Sequence, residues 1–217
     1  MLWEKRIRDP MQYTDWLPVY QSILKDMGYS REDDESSARL LKMIMCNHDL
    51  IDDDELSRYI SKNSTIYGGA YAGGSAPSGT VIATGASIPL LLSENVVPDI
   101  IVTDLDGDVG SQKKASSMGS VTVMHAHGDN TDAIMEHAKD FSGRVILTTQ
   151  SRPDLVVHNF GGFTDGDRAV CIARHFHSDI RLEGFDLDNV AAKEGSDPYI
   201  KGKKLQWAKR IIFELFP

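Results

Sequence analysis

Short runs of β-branched and apolar residues alternate with helical stretches in the part of the chain that follows Ser64. Most runs are apolar at consecutive positions, which is typical of strands buried on both faces of a parallel sheet. The pattern predicts an α/β fold with a Rossmann-like parallel sheet flanked by helices. The predicted strands are STIY, TVIAT, DIIVTD, SVTVMHA, RVILTT and DIRLEGF.

The first 62 residues differ, because their apolar positions recur at helical spacing. The stretch SREDDESSARLLKMIMCNH begins with Ser30 as an N-cap candidate and has acidic residues in its first turn, where the helix dipole favours them. The sequence therefore predicts a helical N-terminal region, residues 1–62, and an α/β catalytic domain, residues 63–217.

The chain is acidic, with a net charge of -9, which argues against a nucleic-acid or membrane-surface partner. No apolar run approaches the roughly 20 residues that span a bilayer, so the predicted location is the cytoplasm. Cys46 and Cys171 lie far apart in apolar surroundings. Their placement favours reduced, buried thiols over a disulfide or a zinc knuckle.

Polar clusters follow the predicted strands at their carboxyl ends. Four of them are TDLDGD, HAHGDNTD, TTQSRPD and EGFDLD, and a fifth, NFGGFTDGDRA, leads into a helix. In open α/β sheets, ligands bind in the crevice outside the carboxyl ends of the strands. The five clusters are therefore predicted to converge on one site.

The stretch TDLDGD places two carboxylates, Asp104 and Asp106, at a strand end. Held about 5 Å apart they would repel by roughly 3 kcal/mol at an effective dielectric near 20, so a site that keeps both ionised favours a divalent cation. Oxygen ligands beside phosphate indicate Mg²⁺. An exposed acidic turn is the alternative, and Asp108 is predicted to be a solvated or accessory acid. A calcium loop is excluded, because Gly107 stands at the fourth position of the loop and not at the sixth.

The sequence pattern D-x-D-G also resembles the first motif of haloacid-dehalogenase-type phosphatases. In that interpretation Asp104 would be the nucleophile and Asp106 the general acid, and GDNTD would supply the later metal-binding acids. Only about twenty residues separate the two motifs, too few for the strands and the lysine motif of that family. The phosphatase stays open as the alternative.

The stretch HAHGDNTD places His125 and His127 on one side of a strand end, with Asp129 and Asn130 at a helix start. Zinc is disfavoured because no third nitrogen or sulfur ligand stands at a matching spacing. Asp129 or Asn130 can cap the helix, and free backbone amides there would also suit a phosphate.

Asp165, Asp167 and Arg168 of NFGGFTDGDRA follow glycines that permit close approach of backbone to a ligand. Asp167 can cap the helix that follows. Arg168 in a first helical turn opposes the helix dipole unless an anion meets it, so we predict a phosphate clamp. Three lysines of YIKGKK either contact phosphates or form a solvated basic turn: Lys201, Lys203 and Lys204.

Taken in order, VPDIIVTDLDGD, HAHGDN, TTQ, NFGGFTDGDRAV and EGFD followed by KGKKLQWAK resemble the archaeal-type 6-hydroxymethyl-7,8-dihydropterin pyrophosphokinases, the MptE-like family. The resemblance covers roughly residues 64–215. The part from TDLDGD to GDNTD is also similar to the catalytic domain of thiamine pyrophosphokinases, which implies a sheet of that type.

The resemblance implies that ATP and a reduced pterin are the partners. The β,γ-diphosphate of ATP would pass, with Mg²⁺, to the hydroxymethyl group of the pterin, leaving AMP. Asp104 and Asp106 would hold Mg²⁺, with Asp129 as a further ligand, and Arg168 would complete the catalytic set. The implied nucleotide- or pterin-binding residues are His127, Asn130, Gln150, Asp165, Asp167, Lys201 and Lys204. A homo-oligomer is left open.

The chain departs from the family pattern in two places. Thr84 stands where the family has the Asp of a D-G-A segment, and the irregular GGAYAGGSAPSG replaces a compact G-x-G-P-S turn. These departures keep a further alternative open, a catalytically impaired nucleotide-binding homologue.

Overall fold

Eight parallel strands form one sheet in the computed structural model, which describes residues 11–189 and 197–216. The strand order is β1-β6-β5-β4-β3-β2-β8, and β7 pairs with β6. The strands are β1 (Asp49–Leu50), β2 (Asn63–Tyr67), β3 (Thr80–Thr84), β4 (Ile100–Thr103), β5 (Val121–Ala126), β6 (Arg144–Thr149), β7 (Val157–His158) and β8 (Asp179–Glu183). The predicted parallel α/β fold is confirmed, and all six predicted strands are present.

Eight α-helices accompany the sheet within the described ranges. They are α1 (Tyr13–Met27), α2 (Arg31–Ile44), α3 (Asp53–Ser57), α4 (Ile88–Ser93), α5 (Val109–Ser117), α6 (Thr131–His137), α7 (Asp165–His175) and α8 (Pro198–Arg210), the last continuing as a π-helical turn at Ile211–Leu215. None of these helices combines the length and apolar character that a bilayer span needs.

Consecutive apolar residues make both faces of the sheet hydrophobic, because side chains alternate between faces along a strand. Ile100 and Val102 of β4 belong to the same core as Val170 and Ile172 of α7. Ile101, between them, belongs to a core on α4 and α5. Full burial of one such side chain stabilises the fold by about 1.5–3 kcal/mol.

The N-terminal helices are built as the sequence indicates and pack against the sheet and its helices. The N-cap prediction is confirmed, since the Ser30 hydroxyl accepts a hydrogen bond from the Asp33 amide at 3.3 Å. Trp16 and Tyr20 of α1 share a core with Phe163 and Trp207.

The region before residue 63 is not wholly helical, however, because β1 pairs with β6. β1 forms because the edge of β6 has unpaired backbone N–H and C=O groups, and a local sequence pattern does not reveal such an edge.

The two cysteines differ in their surroundings. Cys171 is buried as predicted, whereas the prediction was wrong for Cys46, which is exposed in the turn after α2. The predicted boundary after residue 62 stays a prediction. Residues 1–10, 190–196 and 217 of the two predicted regions lie outside the described residues.

Candidate active site

The turn after β4 holds Asp104 and Asp106 on either side of a residue in the left-handed conformation. Leu105 has φ +66° and a side chain only 2% exposed, which lies in the core beneath the turn. Its amide donates to the Thr103 hydroxyl at 2.8 Å. A non-glycine residue adopts this conformation only when its surroundings hold it there. Burial of Leu105 therefore fixes the backbone that carries both carboxylates.

A buried glutamine braces the same turn from α5. Gln112 donates to the Asp106 carbonyl at 2.7 Å and accepts from the Thr103 hydroxyl at 2.7 Å. Asp108, predicted to be a solvated or accessory acid, is exposed and caps α5, because its carboxylate accepts from the Ser111 amide at 3.0 Å and the Ser111 hydroxyl at 2.7 Å.

The turn after β5 is tied to the acidic turn through Asn130. The side-chain amide of Asn130 donates to the carbonyls of Asp104 at 2.9 Å and His125 at 2.8 Å, and its oxygen accepts from the His127 amide at 2.9 Å. Asn130 stands at the N-cap position of α6 but makes no side-chain capping bond. Its side chain thus holds two site loops together.

The two histidines lie on one side of the strand end, as predicted, with ring centroids 6.0 Å apart. His127 Nε2 lies 3.4 Å from Asp104 Oδ2. His125 is buried, and its Nδ1 lies 3.1 Å from the Thr148 hydroxyl. Burial, with the charges of Arg168 and His127, lowers the pKa of His125 well below its usual value, so the ring is neutral.

Asp167 organises the start of α7 from within. Its carboxylate accepts from the amides of Phe163 and Thr164, both at 2.7 Å, and from the Thr164 hydroxyl. The side chain is fully buried. The helix begins earlier than predicted, because Thr164 is the N-cap and Asp167, inside the first turn, completes the capping box with it.

Arg168 is fixed by oxygen atoms of its own helix start. It donates to Asp165 Oδ1 at 3.1 Å and to the Phe163 carbonyl at 2.7 Å, and it is 4% exposed. Its Nε has no hydrogen-bond partner among the described residues. Gly162 permits this arrangement, since a Cβ there would come within 2.5 Å of the Arg168 backbone.

These elements enclose a cavity of about 250 Å³ at the carboxyl ends of the strands. Lys204 of α8 lies over the rings of Tyr29 and Phe163, 5.8 and 5.9 Å from their centroids, which is a cation–π geometry. The cavity is lined by Tyr29, Ala86, Asp104, Asp106, Gly107, His127, Gln150, Phe163, Thr164, Asp165, Arg168 and Lys204.

The surroundings shift the pKa values of two cavity carboxylates in opposite directions. Burial would raise the pKa of Asp104, but the hydrogen bond and charge of His127, with Arg168 and Lys204, lower it. Burial and then the charge of Asp104 raise the pKa of Asp165 well above its usual value, with a smaller effect of Asp106. Asp104 is thus the carboxylate that stays ionised, and its charge keeps Asp165 closer to the protonated form.

The structure brings seven of the predicted site residues to the cavity wall, namely Asp104, Asp106, His127, Gln150, Asp165, Arg168 and Lys204. Four others do not line it, namely Asp129, Asn130, Asp167 and Lys201. Asp129 instead lies beside Tyr29 of the cavity wall, and burial and then the Asp129 carboxylate raise the pKa of Tyr29 to about 12.

The predicted metal ligands do not form a ready-made cluster of three. Within residues 11–189 and 197–216 there is no group of three or more His, Cys, Asp or Glu placed to hold a metal ion. The roles of Asp104, Asp106 and Asp129 toward a metal therefore stay predictions. The predicted convergence of five polar clusters was wrong for EGFDLD, which does not line the cavity. Instead Asp186 accepts from Asn189 and closes its own turn.

Sequence reasoning missed several wall residues that lie far apart in the chain. Tyr29 lies in the connection between two helices and carries no local signal of a site, whereas Phe163 belongs to the predicted cluster NFGGFTDGDRA but is apolar and was not singled out. Ala86 follows Thr84 in the segment where the chain departs from the family pattern.

A larger cleft of about 610 Å³, between α2 and residues 151–157, contains none of the predicted site residues.

Comparison with known proteins identifies relatives over nearly the whole chain. Residues 75–191 match the family model described as 6-hydroxymethylpterin diphosphokinase MptE-like. The 6-hydroxymethyl-7,8-dihydropterin pyrophosphokinase of Pyrococcus furiosus is 36% identical over 219 residues, 93% of each chain. Those of Methanothermobacter thermautotrophicus and Methanocaldococcus jannaschii are 37% and 32% identical over 93% of this chain and 94% and 95% of theirs. The chain therefore belongs to the MptE-like family of 6-hydroxymethylpterin diphosphokinases.

Proposed function

We propose that the protein transfers the terminal diphosphate of ATP to the hydroxymethyl group of 6-hydroxymethyl-7,8-dihydropterin, with Mg²⁺ as cofactor and AMP as the second product. The names of the archaeal relatives support the pterin as acceptor. The observation that carries the proposal is the cavity in which Asp104 and Asp106 face two cations, Arg168 and Lys204. Such a combination suits a metal-bound polyphosphate.

The carboxylates of the cavity fit Mg²⁺. This ion is commonly held by one or two carboxylates together with waters and substrate phosphates, so Asp104 and Asp106 suffice without a third protein ligand. Burial raises the pKa of Asp165 most, and the charge of Asp104 raises it further; a divalent cation would offset this second effect. When bound, Mg²⁺ would neutralise charge on the phosphates and polarise the β-phosphoryl group.

The protein's own cations would position the triphosphate. Arg168 is held by Asp165 and the Phe163 carbonyl, so its guanidinium needs little reorganisation when a phosphate arrives. Lys204 reaches over the cavity from α8 as a point charge. Transfers of this kind depend mainly on positioning and charge neutralisation, so no covalent intermediate is required.

In the proposed step the pterin hydroxymethyl oxygen forms a bond to the β-phosphorus, and the bond between that phosphorus and the α,β-bridging oxygen breaks. AMP leaves with the bridging oxygen and its electron pair. The hydroxyl proton must pass to a base. Asp165 can take up that proton in its ionised form, and its raised pKa makes that carboxylate a stronger base than an ordinary one.

Identification of the nucleotide product tests the proposal. The protein is incubated with ATP, Mg²⁺ and 6-hydroxymethyl-7,8-dihydropterin, and the products are separated chromatographically. We expect acceptor-dependent AMP and pterin diphosphate in equal amounts, and none when Mg²⁺ is chelated. ADP as product, or no AMP with the pterin, contradicts the proposal.

The same assay separates the alternatives. Thiamine in place of the pterin tests for a thiamine-type pyrophosphokinase. A simple phosphate ester without ATP tests for a phosphatase with Asp104 as nucleophile. Tight nucleotide binding without turnover on any acceptor would indicate an impaired homologue.

A further inference from the structure

A buried carboxylate of the N-terminal helices reaches the loops of the cavity. Asp34, in the first turn of α2, is 2% exposed. Its Oδ2 accepts from the Tyr20 hydroxyl at 2.6 Å and from Gln150 Nε2 at 2.8 Å, and its Oδ1 accepts from the Gly128 amide at 2.8 Å. The indole of Trp16 donates to the Gln150 carbonyl at 2.8 Å. Residues of α1 and α2 therefore hold both the backbone and the side chain of Gln150.

This network fixes which end of the Gln150 amide faces Asp34 and which end is turned away from it. A carboxylate has only acceptor atoms, so the NH₂ group of Gln150 must point at Asp34. Burial and the hydrogen bond to Asp34 raise the pKa of Tyr20, so the phenol stays protonated and also donates. Gln150 Oε1 therefore points away from Asp34.

The oxygen presented in this way is buried and has no hydrogen-bond partner among the described residues. Gln150 itself is 2% exposed and lines the cavity. Buried acceptors without a partner are rare in folded proteins, because leaving one unpaired costs free energy. Such an atom at a cavity wall is suited to an N–H donor on a ligand.

We propose that Asp34 is a positioning residue, which orients Gln150 so that its Oε1 accepts a hydrogen bond from an N–H group on the edge of a heterocyclic substrate. The inference rests on the proposed function for the identity of that substrate. Both substrates carry such donors, the 6-amino group of adenine and the 2-amino and ring N–H groups of the pterin. Kinetics with each substrate distinguishes the two.

Asp34→Asn tests the orientation directly. Because the Gly128 amide requires an acceptor, the oxygen of the introduced side-chain amide stays toward it, and the new NH₂ group takes the place of Oδ2. Gln150 would then turn its oxygen toward residue 34 and present NH₂ to the cavity. We expect KM for one substrate to rise at least about 10-fold, with KM for the other and kcat nearly unchanged. Unchanged KM values for both substrates in the folded variant overturn the proposal.

Gln150→Leu tests the acceptor without relying on Asp34→Asn. It should raise the same KM, and adding Asp34→Asn to it should change that KM no further, because coupled residues act non-additively. Multiplicative effects in the double variant overturn the positioning role. If Asp34→Asn does not fold, a Gln150→Leu variant with both KM values unchanged overturns the proposal by itself.

Ser37→Ala is the matched structural control on the same helix. Ser37 is equally buried and bonds to the Thr131 hydroxyl at 3.0 Å, and none of its hydrogen bonds reaches Gln150. We expect a lower Tm with unchanged KM. An equal rise in KM would show general loosening and contradict the proposal.

Calorimetric binding separates this inference from the proposed function. The probes are a non-hydrolysable ATP analogue and 6-hydroxymethyl-7,8-dihydropterin, each titrated into the wild type and Asp34→Asn. If no diphosphate transfer occurs but Asp34→Asn still weakens one ligand at least about 10-fold, the proposed function fails while the positioning role stands. If both ligands bind the two proteins equally, the positioning role fails.

Discussion

The acidic turn shows how single residues place the candidate metal ligands. The left-handed backbone at Leu105 reverses the chain between Asp104 and Asp106, and the buried leucine side chain holds that conformation. The spelling D-x-D-G is visible in the sequence. The left-handed conformation of Leu105 cannot be read from the sequence, because it depends on the core formed beneath the turn.

Asp104→Ala and Asp106→Ala should each lower kcat/KM by about 100-fold or more, since each removes a charge that would bind the proposed Mg²⁺. Both variants should retain the wild-type circular dichroism spectrum, because neither side chain lies in the core. Steady-state AMP formation measures the effect. Wild-type rates in both variants would refute the metal assignment.

Asp108 provides the control for that pair in the same turn. Its carboxylate caps α5 and does not line the cavity. Asp108→Ala should lower the stability by about 1 kcal/mol and leave catalysis nearly intact.

Asn130 and Asp167 show why residue type alone does not identify a ligand contact. Both were predicted to touch substrate, and in the structure neither lines the cavity. Asn130 bonds to backbone atoms of the two site turns, and Asp167 bonds to the start of α7. Buried loops need such partners for their backbone groups, and these partners are the same residue types that bind ligands. Their roles toward substrate stay predictions.

At the scale of elements, α7 connects the cavity to a group of aromatic rings around Phe160. Its first turn carries Asp165 and Arg168, and its last turn carries His175. The His175 ring meets Phe160 edge-on at 5.0 Å. Burial lowers the pKa of His175, and the Asp53 carboxylate only partly opposes this effect.

The lowered pKa of His175 predicts acid lability. Below about pH 6.5 the unfolded chain binds a proton at this residue that the folded protein does not, so stability falls as pH falls. His175→Gln removes this contribution, and the drop in Tm between about pH 7.5 and about pH 5.5 should be smaller than in the wild type. His137→Gln, at a partly exposed histidine, serves as control. An unchanged drop in His175→Gln would contradict the prediction.

At the scale of the whole molecule, the N-terminal helices belong to the same packed body as the sheet. Ile23 of α1 shares a core with Cys171 of α7 and Ile211. Leu41 of α2 shares another with Met124 and Leu147 of the sheet. Removing these helices would expose both apolar surfaces to water.

A fragment comprising residues 63–217 should therefore not fold as a stable unit. We expect strong binding of a hydrophobic dye and loss of a cooperative thermal transition, whereas the full chain unfolds in one transition. A fragment with a cooperative transition and native-like near-ultraviolet circular dichroism would show that residues 1–62 are a separate region.

The sequence by itself determined the parallel α/β fold, the family and the strand ends that carry the candidate site. These features follow from short local patterns, namely runs of apolar residues that form buried strands and polar residues in the turns after them. The sequence did not reveal that Tyr29 lines the cavity, or that Asp34 bonds to Gln150 across 116 positions of the chain. It also did not separate the polar residues that face the cavity from those that hold its loops. Only the tertiary structure decided these points, because a polar side chain bonds to whichever partners packing brings near it, and those partners are distant in sequence.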